Sequence, residues 1–222
     1  SGIVNGEVVD EDALNNSPFI RQVMADAEAA NEVKLAPPKP RKERVRFTTL
    51  HPEIPAEQRR NFRITDPELG YGTASEKYAA NVAAIRLLKK IESEERLATP
   101  DEQEILSRYV GWGGLADCFK EEHSRYNELK SLLEPDEYAA ARASSLTAFY
   151  TSPVIVEAMY KALGQMGFKN GNLLEPACGI GNFIGMLPEG MTGGKAYGVE
   201  LDSISGRIAQ QLYQNSNIAV DG

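Results

Sequence analysis

The chain has 222 residues, 42% apolar and 25% charged, a balance that suits one or two globular domains and excludes fibrous repeats and wholesale disorder. Its formal net charge of −8 excludes a uniformly basic coat for nucleic acid, though not a local basic patch. The two cysteines, Cys118 and Cys178, lack CxxC spacing and have two histidines in the whole chain to join them, which argues against structural zinc and disulfides and for a reducing, cytoplasmic setting.

The opening SGIVNGEVVDEDAL has neither a basic start nor an apolar centre, so it does not read as a signal peptide. No later apolar run approaches the roughly 18 residues that a membrane span needs. From Glu7 to Glu32 the chain is mostly acidic; from Lys39 to Arg63 it turns basic through Lys39, Arg41, Lys42, Arg44, Arg46, Arg59, Arg60 and Arg63. Pro37, Pro38, Pro40, Pro52 and Pro55 forbid a continuous helix across that basic run. Residues 1–60 therefore read as a short helix, from Ser17-Pro18 to about Val33, followed by an extended linker. The basic run has two readings, a solvated linker or a grip on a nucleic-acid backbone.

Residues 61–147 read as a helical region. Thr73-x-x-Glu76 is a capping-box pattern, and Tyr78, Val82, Ile85, Leu88 and Ile91 follow at helical spacing. Thr99-Pro100-Asp101-Glu102 starts a second helix, with Ile105, Leu106, Tyr109 and Val110 as its apolar stripe and the glycines of GWGG (111–114) as its stop. Trp112 has two readings, a packing anchor or a stacking platform for a base. Two further helices are expected around Tyr126–Leu133 and Pro135–Ser144.

Residues 148–222 carry the chemistry. Phe149-Tyr150-Thr151 leads to a helix start at Ser152-Pro153, with Ile155, Met159, Ala162 and Leu163 expected as its buried stripe. A strand ending near Glu175, a glycine-rich turn, a helix opening near Asn182, a strand from Tyr197 to Leu201, a helix after Asp202 and a strand at 217–220 follow. That order is a parallel, Rossmann-like α/β half. Gly179 and Gly181 let the backbone approach a ligand at the carboxyl end of the first strand. Glu200, at the end of the next strand, lies where an acid accepts hydrogen bonds from ribose hydroxyls. The pair indicates an adenosine ligand. Ile184 occupies the third position of a dinucleotide fingerprint, which disfavours NAD, and Gly194-Lys195-Ala196 departs from a P-loop. Glu175 would repel a pyrophosphate and suits the α-ammonium of S-adenosylmethionine. Cys178 reads as a small turn residue.

At these residues the chain resembles the N6-adenine DNA methyltransferases. LEPACGIGNF (174–183) is similar to their motif I, FYTSP (149–153) to motif X and YGVELD (197–202) to motif II, in the order of the γ class. NFRITDPELGYG (61–72) and EILSRYVGWGGL (104–115) resemble the segment that precedes the methylase region of large SNF2-type helicase–methylase proteins of mobile elements and phages. The resemblance implies the N-terminal half of an S-adenosylmethionine-dependent methyltransferase fold. It gives Tyr150 and Thr151 to the methionine part of the cofactor, Glu175 to its ammonium, Ala177, Gly179 and Gly181 to the backbone floor, Glu200 to the ribose and Leu201 to the adenine. It implies no metal.

The family's catalytic motif, Asn/Asp-Pro-Pro-Tyr/Phe, is expected beyond Gly222. Asn16-Ser17-Pro18-Phe19 lacks the first proline and a preceding strand, and reads as a helix cap. The implied reaction of the longer protein is methyl transfer to adenine N6 in DNA after base flipping. The alternatives are a non-catalytic DNA-interaction or scaffolding module of a helicase-like protein, and another Rossmann-type adenosine-nucleotide enzyme. A three-stranded parallel sheet would leave an open edge, through which self-association is expected.

Overall fold

The computed structural model describes residues 2–4, 7–9, 18, 21–22, 45–146 and 148–221. The chain divides into two units, residues 1–44 and 45–222. In the first, β1 (Gly2–Val4) pairs antiparallel with β2 (Glu7–Val9), Val4 facing Glu7 across the sequence Asn5-Gly6. The helix-then-linker reading missed this hairpin, although Asn-Gly between short apolar runs is a strong hairpin signal. Pro18, Arg21 and Gln22 are helical, and the rest of the expected helix to Val33 lies outside the described residues.

In the second unit α1 (Ala74–Ser93) starts on the reciprocal Thr73–Glu76 capping box and buries Tyr78, Val82, Ile85, Leu88 and Ile91. A second capping box, Thr99 with Glu102, opens α2 (Pro100–Leu106). Arg96 grips the Glu102 carboxylate in a two-toothed pair and is the main reason that its pKa falls to about 2. The helix ends at Leu106, five residues before the glycines expected to stop it. Tyr109 and Val110 therefore follow the helix, and Ile105, expected in its buried stripe, is exposed. A one-turn 3-10 helix (Ala116–Phe119), α3 (Tyr126–Leu132) and α4 (Pro135–Ser144) complete the helical region. Trp112 is an anchor: it is buried, edge-on to Phe119 at 5.4 Å and to Tyr78 at 6.4 Å.

After α5 (Pro153–Gln165) come β3 (Leu173–Glu175), the one-turn α6 (Asn182–Gly185), β4 (Ala196–Glu200), α7 (Ser203–Leu212) and β5 (Asn217–Val220). The strands form a parallel sheet in the order β3-β4-β5. Leu173, Ala196 and Ile218 lie on the face that joins the helical core, where Ile204, Ile208 and Leu212 of α7 pack with residues of α1 and α2. The chain is thus mixed α/β, with helices and a small parallel sheet sharing one core.

Two further departures from expectation concern the second unit. Helix α5 docks through Pro153, Val156 and Tyr160, with the Tyr160 hydroxyl donating to Phe183 O at 2.6 Å. Ile155 (53% exposed), Met159 (49%), Ala162 and Leu163 face outward, the reverse of the expected burial. The helix is apolar nearly all round, so periodicity alone did not choose its docked face. In addition, Arg59 of the basic run is buried, its guanidinium donating to the carbonyls of Leu50, His51, Ile54 and Gln214. That cation fastens the segment after Val45 to the end of α7 and is not presented to a phosphate. Lys39, Arg41, Lys42 and Arg44 lie outside the described residues.

Candidate functional site

The glycine-rich turn after β3 is tied down at both ends. Cys178 N donates to Val199 O at 3.0 Å and Gly181 N to Cys178 O at 2.7 Å. Gly179 and Gly181 both have left-handed backbones, with φ of 55° and 85°. A Cβ on Gly179 would stand 2.8 Å from the Tyr150 ring, and one on Gly181 would stand 2.5 Å from the Tyr213 ring. Both glycines therefore admit tyrosines of this chain. Gly181 was expected in the cofactor floor; what its missing side chain does in the fold is make room for Tyr213. The helix after it is a single turn, too short for much of a macrodipole.

Beside this turn lies a cleft of about 270 Å³, just under the roughly 300–1,000 Å³ of typical small-ligand sites. Tyr150, Thr151, Glu175, Ala177, Gly179 and Glu200 all line it. Gly181 does not, for the reason given. Leu201, expected over the adenine, also does not; it stands 76% exposed next to the cleft-lining Glu200 and Asp202.

Glu200 is held by the backbone. Its Oε2 accepts from Gly179 N at 2.6 Å and its Oε1 from Asp202 N at 2.9 Å. Each oxygen keeps a further lone pair, so the carboxylate bridges the glycine turn and the start of α7 while still able to accept from a ligand. Glu175, one strand over, is different. No donor among the described residues reaches its buried Oε2. Burial, with the nearby charge of Glu200, raises its pKa from 4.5 to about 8. Burial likewise pushes the Cys178 thiol up to about 12, which removes it as a nucleophile at neutral pH.

Tyr150 is set by a relay that sequence reading missed. Asp202 Oδ2 accepts from both the backbone N and the hydroxyl of Ser205, and the Ser205 hydroxyl lies 2.6 Å from that of Tyr150. Because a carboxylate accepts only, Ser205 donates to Asp202 and Tyr150 donates to Ser205. The signal was present in Asp202, an N-cap residue two positions after the acid that ends a strand. Asn182 was also missed. Its Nδ2 donates to Thr151 O at 3.1 Å, stapling the turn to the Phe149–Thr151 segment. From behind, GWGG supports that segment: a Cβ on Gly113 would lie 2.2 Å from Ala148 O, and Asn81 holds Val110 N and Gly111 O.

A neighbouring cleft of about 210 Å³ shares Tyr150, Thr151 and Asn182 with the first, and reaches Tyr71, Lys77 and Tyr109 on the helical side. Among the described residues no group of His, Cys, Asp and Glu is arranged to hold a metal ion, and no helix is long and apolar enough to cross a membrane.

Over 141 residues the chain is 27% identical to the Defense against restriction protein B of Escherichia phage P1. That match covers 64% of this chain and 5% of the phage protein, so the similarity concerns a small part of a much longer polypeptide. No family model and no solved structure matches the chain.

Proposed function

We propose that the cleft at the carboxyl ends of β3 and β4 binds S-adenosylmethionine, and that the chain is the cofactor-binding part of a DNA adenine-N6 methyltransferase. The observation that carries this reading is the pair of acids at adjacent strand ends. Glu200, pinned by two backbone amides, accepts from ribose hydroxyls. Glu175, buried and with an unpartnered oxygen, meets a cation. No Lys, Arg or His lines the cleft among the described residues, which disfavours a phosphate-bearing nucleotide. Tyr150 and Thr151 close the methionine side, and Ala177 and Gly179 supply the floor. When bound, S-adenosylmethionine supplies an electrophilic methyl group; the residues named here bind and orient it.

The adenine-N6 part of the reading rests on the likeness of 149–153, 174–183 and 197–202 to motifs X, I and II. The name of the phage relative, defence against restriction, supports a role directed at DNA. The chain contains no Asn/Asp-Pro-Pro-Tyr/Phe sequence to hold a flipped adenine, so by itself it should incorporate no labelled methyl into DNA. Equilibrium dialysis with labelled S-adenosylmethionine tests the cofactor reading. Two charge-assisted hydrogen bonds predict that Glu200→Ala weakens binding about ten- to a hundredfold, whereas Lys195→Ala, away from the cleft, leaves it unchanged. Unaltered affinity in Glu200→Ala would sink the assignment.

A further inference from the structure

Two residues that line the same cleft, Glu175 and Asn182, each carry a buried side-chain oxygen, Oε2 and Oδ1, without a donor among the described residues. The orientation of the Asn182 amide is fixed chemically, because Thr151 O can only accept and so takes the Nδ2 side. The other end of the side chain is therefore an acceptor. Leaving a buried acceptor unmet is costly, so a ligand that satisfies both oxygens gains the benefit of both contacts. Glu175, Glu200 and Asp202 line the cleft, and among the described residues no cationic side chain does, which selects a ligand part that is both donor-rich and positive.

We infer that Asn182 is the second jaw of an ammonium clamp: its Oδ1 and Glu175 Oε2 together hold the α-ammonium of the ligand's amino-acid part. This deepens the S-adenosylmethionine reading and rests on it. An ammonium has three N–H donors and no acceptor, matching two acceptor-only oxygens and leaving one proton for a further contact. Asn182 then has two roles, staple to Thr151 through Nδ2 and ligand acceptor through Oδ1, and the first alone would make it only a positioning residue.

Calorimetry with S-adenosylhomocysteine and 5′-methylthioadenosine separates the two roles, since both carry the adenosine and the sulfur but only the first has the amino acid. The wild-type chain should bind S-adenosylhomocysteine the more tightly. Asn182→Leu should weaken that compound about tenfold, the scale of one hydrogen bond to a charged group, and leave 5′-methylthioadenosine within about twofold. Asn182→Asp keeps an acceptor oxygen and adds a negative charge, so it should retain the preference; if Asn182 instead met the ligand's carboxylate, this variant would lose it. Should Asn182→Leu fail to fold, Asn182→Ser, whose hydroxyl is too short to span the same distance, carries the same comparison.

Equal weakening of both compounds in Asn182→Leu overturns the clamp and leaves a staple. Equal affinity of the wild-type chain for both compounds overturns it while the adenosine reading stands. If the wild-type chain binds neither compound, the cofactor reading itself fails and the clamp with it.

Discussion

Glu175 couples the cleft to pH in two ways. Its pKa is raised from 4.5 to about 8 in the folded chain, so the folded state binds a proton that the unfolded state releases. The stability from this group is fully present below about pH 4.5 and is lost as pH rises through 8. A bound cation favours the ionised form, so ligand binding should release a proton at pH 6.5. Calorimetry in buffers of different ionisation enthalpy should show that release in the wild-type chain and not in Glu175→Gln; a buffer-independent enthalpy in both would contradict it. At this scale the sequence was legible where chemistry is tied to strand ends. Glu175 and Glu200 sit at the ends of adjacent parallel strands, and register puts them on one face. The packing of Gly181 on Tyr213 was not readable, because the two lie 32 positions apart in sequence and spacing cannot show where the ring lands. Asn182 and the Ser205–Asp202 relay were missed for the same reason: their roles exist only once Thr151 and Tyr150 are brought against them.

The segment from Ala148 to Thr151 and the GWGG loop act as one element. Asn81 inside α1 fixes the loop, and the loop's Gly113 lies against Ala148 O so closely that any side chain must displace one of them. Gly113→Ala should therefore cost about 1–3 kcal/mol of stability by overpacking and weaken ligand binding through movement of Tyr150, though position 113 does not line the proposed ligand cleft. Thermal melting and dialysis on the one variant check both effects; unchanged binding would mean that the helical region does not position the site. Capping boxes made the starts of α1 and α2 readable to the residue, since cap and acid stand three apart in sequence, with a proline between them in α2. The docked face of α5 was not readable. Val154, Ile155, Val156, Met159, Tyr160 and Leu163 offer apolar groups on both sides, and the choice fell to Tyr160 finding Phe183 O.

For the unit from Val45 onward, the parallel sheet is covered by helices on the Leu173–Ala196–Ile218 face, while Leu174 on the other stands 63% exposed. Parallel sheets are normally covered on both faces. With β3 as an open edge and the outward side of α5 apolar, the chain should associate as its concentration rises. Light scattering should show mass increasing from micromolar to millimolar protein, and a constant monomer mass would count against it. The α/β class was legible because a βαβ order leaves few topologies; the shared core of helices and sheet was not, since α7 reaches α1 and α2 across more than a hundred residues of sequence. The claim on which the rest depends is that the cleft between Glu175 and Glu200 takes an adenosyl amino acid. Titrating the labelled chain with S-adenosylhomocysteine by nuclear magnetic resonance tests it most directly. Amide signals of Gly179, Asn182, Glu200 and Asp202 should shift together and saturate while those of α3 stay fixed; no shift at those four amides at millimolar ligand, or shifts confined elsewhere, would contradict it.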